Sequence, residues 1–159
     1  MSGELSASAG RVQQALEAFG LPLRVVELPA STRTAMEAAE AIGCTVAQIA
    51  KSIVFRAEPS GQPILVVASG ANRVNLDKLS ILVGEPVSLA DPAFVREATG
   101  FVIGGVPPIG HQRKMSTFLD EDLMDHSEIW AAAGTPYAVF RLRPADLPRL
   151  TGGAFVKTT

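Results

Sequence analysis

One lysine offers the clearest chemistry in this sequence. Lys51 follows the apolar pair Ile49-Ala50 and opens a strand pattern that continues through Ile53 and Phe55. Because side chains alternate along a strand, Lys51 shares a face with Ile53 and Phe55, while Ser52 lies on the opposite face. Such a lysine either reaches the rim of the sheet along its aliphatic stem or points into a cleft, where its ammonium can bind a phosphate or carboxylate. The pattern alone leaves both interpretations open.

A loop dominated by glycine and proline, residues 104–110, is the second candidate. Glycine lets backbone N–H groups approach a ligand closely, and proline fixes the shape of a loop. This loop can therefore place backbone donors and acceptors around a small substrate, or it can be a rigid structural connection. It is not a phosphate-binding loop, because it lacks the Gly-Lys-Ser/Thr ending.

The other reactive side chains are weaker candidates. Cys44 is the only cysteine, which excludes an internal disulfide and a cysteine zinc cluster, and it is expected to be a small buried hydrophobe. His111 and His126 do not have the spacing of metal ligands, so no metal site is predicted. The acidic residues 120–125 are expected to form a solvated turn. The chain also lacks a G-x-S-x-G elbow and a dinucleotide fingerprint.

Composition and charge exclude several classes of protein. Of 159 residues, 47% are hydrophobic and 19% charged, which excludes a disordered chain. The net charge of −2 disfavours a general nucleic-acid binder, so DNA is not an expected partner, although a local basic rim at Asn72, Arg73 and Lys78 or at Arg113-Lys114 is compatible with it. No apolar run approaches the roughly 20 residues of a membrane helix, and the first ten residues lack the regions of a signal peptide. A cytoplasmic protein without membrane contact is expected.

The elements that must position Lys51 and the loop can be read from periodicity and capping residues. Strands are expected at residues 23–28, 51–56, 63–69, 116–119, 128–132 and 137–142, and helices at 8–19, from 34 to 43, from 75 to 84, from 91 to 100 and at 145–150. Strands 51–56 and 63–69 form a predicted antiparallel hairpin. This order predicts one compact α+β domain over residues 1–159, with mixed α/β character, a mixed, mainly antiparallel sheet flanked by helices, and a flexible lead-in over residues 1–9.

Five stretches of the sequence, in this order, carry a family resemblance. They are residues 39–43, 48–55, 73–79, 98–110 and 129–134. Together they make nearly the whole chain, roughly residues 20–157, similar to the YbaK and prolyl-tRNA synthetase insertion-domain superfamily of aminoacyl-tRNA deacylases. The most specific part is the lysine followed by the Gly-Gly-x-x-Pro loop.

The resemblance implies a compact fold with a mixed sheet and a cleft. It also implies trans-editing, the hydrolysis of the ester that joins a wrong amino acid to the 3′ end of a tRNA, typically tRNA-Pro. No metal and no organic cofactor are implied. The implied partners are the acceptor end of an aminoacyl-tRNA and prolyl-tRNA synthetase. The amino acid that is removed stays open.

Site residues carry over position by position. The family lysine falls on Lys51, which would contact the 3′-terminal nucleotide and orient the ester, and Gly105 would lie closest to the substrate carbonyl. Lys51 and Gly105 are thus the catalytic residues that the resemblance implies. The implied substrate-binding residues are Ser52, Gly104, Val106, Pro107, Pro108, Ala132 and Gly134.

The sequence departs from the best-defined subgroups. The serine and aspartate of the cysteine-specific members fall on Ala132 and Val139, and their tyrosine falls close to Leu28. The histidine segment of the alanine-specific members is absent around residues 131–137. These differences argue against the cysteine-specific subgroup and leave the substrate amino acid undefined.

The implied reaction needs little machinery. A hydrophobic synthetase pocket rejects a smaller or isosteric amino acid by only about 10–200-fold, which creates the need for an editing site. Because the ester is already labile, positioning a water and stabilising the oxyanion suffice without a Ser-His-Asp set. The alternative is a non-catalytic module of the same fold that binds tRNA or a synthetase. A hydrolase with Cys44 as nucleophile is the third hypothesis.

Overall fold

Local capping signals account for the helices of this protein, whose computed structural model describes residues 5–159. The helices are α1 (Ala7–Ala18), α2 (Ala35–Ile42), α3 (Leu76–Val83), α4 (Pro92–Thr99) and α5 (Asp146–Thr151). Thr34 and Glu37 form a capping box at the start of α2, as their spacing predicts. Asn75 and Asp91 cap α3 and α4 with their side chains. The four predicted inner helix boundaries are therefore confirmed.

The strands form one mixed sheet across residues 5–159. They are β1 (Val25–Glu27), β2 (Ile49–Ala57), β3 (Pro63–Ser69), β4 (Val87–Leu89), β5 (Ser116–Asp120), β6 (Ile129–Ala132), β7 (Ala138–Leu142) and β8 (Ala154–Val156). The order is β1-β7-β6-β2-β3-β5-β8, and β4 pairs with β2. Pairs β1–β7, β6–β7, β2–β3 and β2–β4 are antiparallel, whereas β2–β6, β3–β5 and β5–β8 are parallel. The predicted α+β fold with a mixed sheet and an antiparallel majority is confirmed.

The predicted hairpin forms the centre of the sheet. Strands β2 and β3 pair from Ala50 opposite Ser69 to Arg56 opposite Pro63, which sets Lys51 opposite Ala68. All seven residues of β3 are buried, as expected for a central strand covered on both faces. Lys51 therefore starts from a fixed position in the most rigid part of the fold.

Two apolar clusters cover the two faces of the sheet. The larger one joins α1, through Val12 and Leu16, to Leu65 and Phe140. The opposite face packs Phe55 and its neighbours against α3, and a smaller cluster joins Ile49 to α2. The Lys51 face is thus covered by α2 on one side of the lysine and by α3 on the other.

Three expectations differ from the structure. Helix α1 begins at Ala7, after the cap Ser6, so residues 7–9 belong to the helix rather than to a lead-in, and residues 1–4 lie outside the described residues. Strands β4 and β8 were not predicted, because each has only three residues and pattern recognition needs more. Residues 121–125 form a 3₁₀ turn, and Asp120 before it is 1% exposed, not solvated.

No helix in the described part of the chain is long and apolar enough to cross a membrane.

Candidate active site

The central strand β2 leaves a gap in the sheet. One edge of β2 pairs with β3, and the other edge is divided between two short partners. Strand β6 pairs only with Ile49 and Ala50, and β4 pairs only from Phe55 to Ala57. Between them the Val54 carbonyl accepts a hydrogen bond of 3.1 Å from the Ala90 N–H, and no strand of residues 5–159 pairs there. The sheet therefore opens beside residues 51–54.

A cavity of about 690 Å³ occupies this gap. Five predicted site residues line it, namely Lys51, Ser52, Gly104, Val106 and Ala132. The sequence prediction that Lys51 and the glycine loop share one cleft is matched by this placement. The cavity takes side chains from both faces of β2, because the missing strand partner connects the two faces.

Cationic side chains surround the mouth of the cavity. Lys51 is exposed, and the exposed Arg33 and Arg73 also line the cavity. Its lining includes no Asp or Glu from the described residues. Lysine and arginine without neighbouring carboxylates make a site for an anionic group such as a phosphate.

Only part of the predicted basic rim reaches this mouth. Asn72 and Arg73 line the cavity, but the Lys78 ammonium donates to the Thr159 carbonyl at 2.6 Å. Arg113 forms an ion pair of 3.1 Å with Glu97 outside the cavity. The second predicted cluster, at Arg113-Lys114, is therefore separate from the candidate site.

Two buried hydroxyl groups lie in the cavity wall. The side-chain oxygens of Thr32 and Ser52 have no hydrogen-bond partner among residues 5–159, and both residues line the cavity. Thr32 was missed by the sequence analysis, because it lies in an irregular segment far along the chain from Lys51. Thr32 reaches the cavity because its N–H donates to the Pro136 carbonyl at 2.6 Å, next to β7.

The glycine loop forms one wall of the cavity through Gly104. This residue has φ +91°, in the left-handed region that glycine adopts without strain. Gly105 is buried behind it, where a Cβ would lie 2.8 Å from the Thr135 backbone. Its N–H donates to Val102 at 3.0 Å, and its carbonyl accepts from Gly134 at 2.8 Å. Gly105 thus supports the wall from behind.

Four predicted site residues do not line the cavity. They are Gly105, Pro107, Pro108 and Gly134, all of which are buried. The implied position of Gly105 next to the substrate carbonyl is not what this geometry shows, because tight packing against Thr135 occupies the space beside it. These residues hold the loop in place, and Gly104 and Val106 contact the cavity.

A buried carboxylate holds the far rim of the cavity. One Asp120 oxygen accepts from the Ser69 N–H at 2.9 Å and from the Asn72 amide at 2.9 Å, and the other accepts from the Asp122 N–H at 3.0 Å. Because Ser69 and Asn72 both line the cavity, Asp120 positions that wall without contacting the cavity itself.

The remaining reactive residues lie outside the cavity lining. Cys44 is partly buried, and burial raises the pKa of its thiol above the usual range, which disfavours the nucleophilic thiolate. Burial lowers the pKa of His111 below 6.5, and its Nε2 lies 2.6 Å from the Pro107 carbonyl. Within residues 5–159, no three His, Cys, Asp or Glu side chains gather as a metal site.

Comparison with known proteins decides the family. The family model described as an aminoacyl-tRNA editing domain matches residues 29–150, a range that includes the lysine, the glycine loop and the whole cavity lining. This chain belongs to that family. The editing domain fold, its cleft and the predicted resemblance to YbaK-like proteins are therefore confirmed.

Similar proteins cover most of the editing domain. The uncharacterised protein YwhH of Bacillus subtilis (strain 168) is 35% identical over 123 residues, 77% of this chain and 78% of YwhH. The "Multifunctional Ser/Thr-tRNA deacylase ProXp-y" of Escherichia coli (strain K12) is 31% identical over 112 residues, 68% of this chain and 67% of that protein. A solved structure described as a "putative trans-editing enzyme for prolyl tRNA synthetase" is 54% identical, with a TM-score of 0.91 and coverage of 97% and 98%.

Proposed function

We propose that this editing domain is a trans-editing deacylase that hydrolyses the ester of a mischarged tRNA, with tRNA-Pro carrying a small non-cognate amino acid as substrate. The observation that carries this proposal is the gap beside residues 51–54, which joins an exposed cation to buried polar groups in one cavity. The relative that is described as a trans-editing enzyme for prolyl tRNA synthetase supports tRNA-Pro as the tRNA. Prolyl-tRNA synthetase is the proposed partner.

The mouth of the cavity suits the 3′ end of a tRNA. Lys51, Arg33 and Arg73 offer cations to the phosphate of the terminal nucleotide. A single-stranded end is held by a few local contacts and by stacking. A domain with a net charge of −2 can therefore bind it at this one mouth.

The backbone of β2 supplies a donor for the reaction. Because the Val54 carbonyl faces the gap, strand alternation turns the backbone N–H of Ser52 to the same edge, where no strand pairs with it. In the proposed reaction, water adds to the ester carbonyl, and this N–H stabilises the negative oxygen that forms. The bond to the ribose oxygen then breaks, the ribose hydroxyl is restored, and the amino acid leaves as a carboxylate with release of one proton.

Lys51 is the proposed positioning cation of this reaction. It lies one residue from the Ser52 donor on the same strand, so a phosphate bound at the mouth places the ester beside the gap. Positioning of this kind accelerates a labile ester without a covalent intermediate.

Release of amino acids from charged tRNA-Pro tests the proposal. The substrates are tRNA-Pro carrying alanine, serine, cysteine or threonine, with prolyl-tRNA-Pro as the cognate control. We expect at least one mischarged tRNA to be hydrolysed well above buffer and the cognate one to be spared. Lys51→Ala should lower this rate at least tenfold, whereas Lys114→Ala, an exposed lysine outside the cavity, should keep it.

Two results would overturn the proposal. Stability of every charged tRNA in the presence of the protein would exclude deacylation, and tight tRNA binding without turnover would instead support the non-catalytic module. A fully active Lys51→Ala variant would exclude the positioning role of Lys51.

A further inference from the structure

Two hydroxyl groups in the cavity are buried without a partner. Thr32 is 5% exposed, and its Oγ1 accepts and donates no hydrogen bond within residues 5–159. The same holds for Ser52 Oγ. Ser69, by contrast, lines the same cavity but donates its hydroxyl to the Ala47 carbonyl at 2.8 Å. Thr32 and Ser52 thus present free hydrogen-bonding capacity to the cavity.

Free hydroxyls of this kind point to a ligand. A buried polar group without a hydrogen bond costs about 1–3 kcal/mol, and a bound group that satisfies it recovers that cost. Across the described chain, Thr158 is the third residue with such a hydroxyl, and it does not line the cavity. Two of the three unpartnered hydroxyls therefore lie in the one cavity where a substrate is proposed to bind.

The depth of these hydroxyls indicates which part of the substrate they meet. Lys51, Arg33 and Arg73 are exposed at the mouth, where the charged nucleotide belongs. Thr32 and the Ser52 hydroxyl are buried, beside the apolar side chains of Val54 and Val106. The inner part of the cavity is therefore the place of the amino acid.

The chemistry of the lining favours a neutral partner. A buried ammonium group needs a carboxylate or several carbonyl groups around it, and no Asp or Glu of residues 5–159 lines the cavity. A hydroxyl, which both donates and accepts, matches two other hydroxyls in an apolar wall. Thr32 and Ser52 therefore fit a side-chain hydroxyl better than the α-amino group.

We propose that Thr32 and Ser52 recognise a side-chain hydroxyl on the esterified amino acid, so that the cavity selects seryl and threonyl esters over the alanyl and valyl isosteres. This inference rests on the proposed deacylase function and names its substrate class. A site that hydrogen-bonds a substrate hydroxyl disfavours the analogue without it, because its own polar groups then stay unpaired.

Isosteric substitution tests the recognition. The measured quantity is the ratio of kcat/KM for seryl-tRNA-Pro over alanyl-tRNA-Pro, and likewise for threonyl over valyl. Thr32→Val removes the hydroxyl at nearly constant shape and should lower both ratios about tenfold, and Thr32→Ser should restore the seryl preference. Thr158→Val is the matched control, since it removes an equally buried and unpartnered hydroxyl outside the cavity, and should leave the ratios unchanged.

Binding of non-hydrolysable analogues separates this inference from the proposed reaction. Seryl-sulfamoyl adenosine should bind about tenfold more tightly than alanyl-sulfamoyl adenosine, and Thr32→Val should abolish the difference. If the seryl analogue binds preferentially but no ester is cleaved, the reaction is wrong and the recognition stands. Equal binding of the two analogues, equal cleavage of the seryl and alanyl esters, or an equal loss for both in Thr32→Val would overturn the recognition while leaving deacylation intact.

Discussion

Arg33 and Gly104 contact each other at the mouth of the cavity. A Cβ atom at position 104 would lie 2.6 Å from Arg33 Cγ and 3.4 Å from Arg33 Cβ. Both residues line the cavity, so the segment before α2 and the glycine loop close one side of the mouth. Glycine is required there by the contact and by the φ of +91°.

Gly104→Ala should therefore weaken both stability and activity. The left-handed conformation costs a residue with a Cβ about 1–2 kcal/mol, and the new methyl group must displace the stem of Arg33. We expect a lower free energy of unfolding in urea and a severalfold lower rate of tRNA deacylation.

Gly84→Ala is the control for Gly104→Ala. Gly84 has a similar φ of +87°, and no atom lies within 4 Å of its Cβ position. It should show the backbone strain alone and keep full deacylase activity. An equal loss of activity in both variants would contradict a specific role for the contact between Arg33 and Gly104.

Gly70→Ala should displace the elements that hold Lys51. A Cβ there would lie 2.6 Å from the Val46 carbonyl oxygen and 2.7 Å from Ala35 Cβ, and both neighbours belong to the elements that lead into β2. Overpacking of this kind costs about 1–3 kcal/mol, which urea unfolding would measure. Gly10→Ala is the opposite case, because α1 has open space there and alanine favours a helix by about 1 kcal/mol. A stable Gly70→Ala variant would contradict the tight packing.

Asp120→Ala should destabilise the rim formed by Ser69 and Asn72. It leaves two backbone N–H groups and one amide without their acceptor, at a cost of about 1–3 kcal/mol for a buried donor. We expect a lower melting temperature and a higher KM, since Asn72 lines the cavity. Asp125→Ala, an exposed neighbour, should match the wild type. Unchanged stability in Asp120→Ala would show that these hydrogen bonds contribute nothing.

Local signals predicted much of the fold. Caps such as Thr34 and Asp91 and the apolar runs of β2 and β3 act between near neighbours, so the sequence reveals them directly. Strand β4 was missed because its three residues form a strand only through pairing with β2, and Leu89 in it is 68% exposed. Elements that depend on a distant partner leave little trace in local periodicity.

The same distinction applies to the site. Lys51 was found from its apolar surroundings and from the resemblance, and Gly104 from the loop composition. Thr32 was missed because its place in the cavity depends on a hydrogen bond to Pro136, more than a hundred residues along the chain. Gly105 was assigned to the cavity by analogy, whereas its packing against Thr135 is a tertiary contact that spacing does not encode.

His111 should make the stability of the glycine loop depend on pH. Burial is the main cause that lowers its pKa below 6.5, so the folded protein holds His111 neutral, with Nε2 bonded to the Pro107 carbonyl at 2.6 Å. Below about pH 6.5 the unfolded chain binds a proton that the folded one does not, and the free energy of unfolding falls as pH decreases through this range. Above pH 6.5 both states are neutral at this position, and His111 adds no pH dependence.

His111→Gln should flatten this dependence, because glutamine is neutral and keeps a donor for Pro107. The measurement is the melting temperature between pH 7.5 and pH 5, and the fall toward acid should be smaller for His111→Gln than for the wild type. His126→Gln is the matched control, since it removes a histidine without touching the loop. A curve for His111→Gln that parallels the wild type would show that the buried imidazole does not couple the loop to pH, and that the contact with Pro107 serves packing alone.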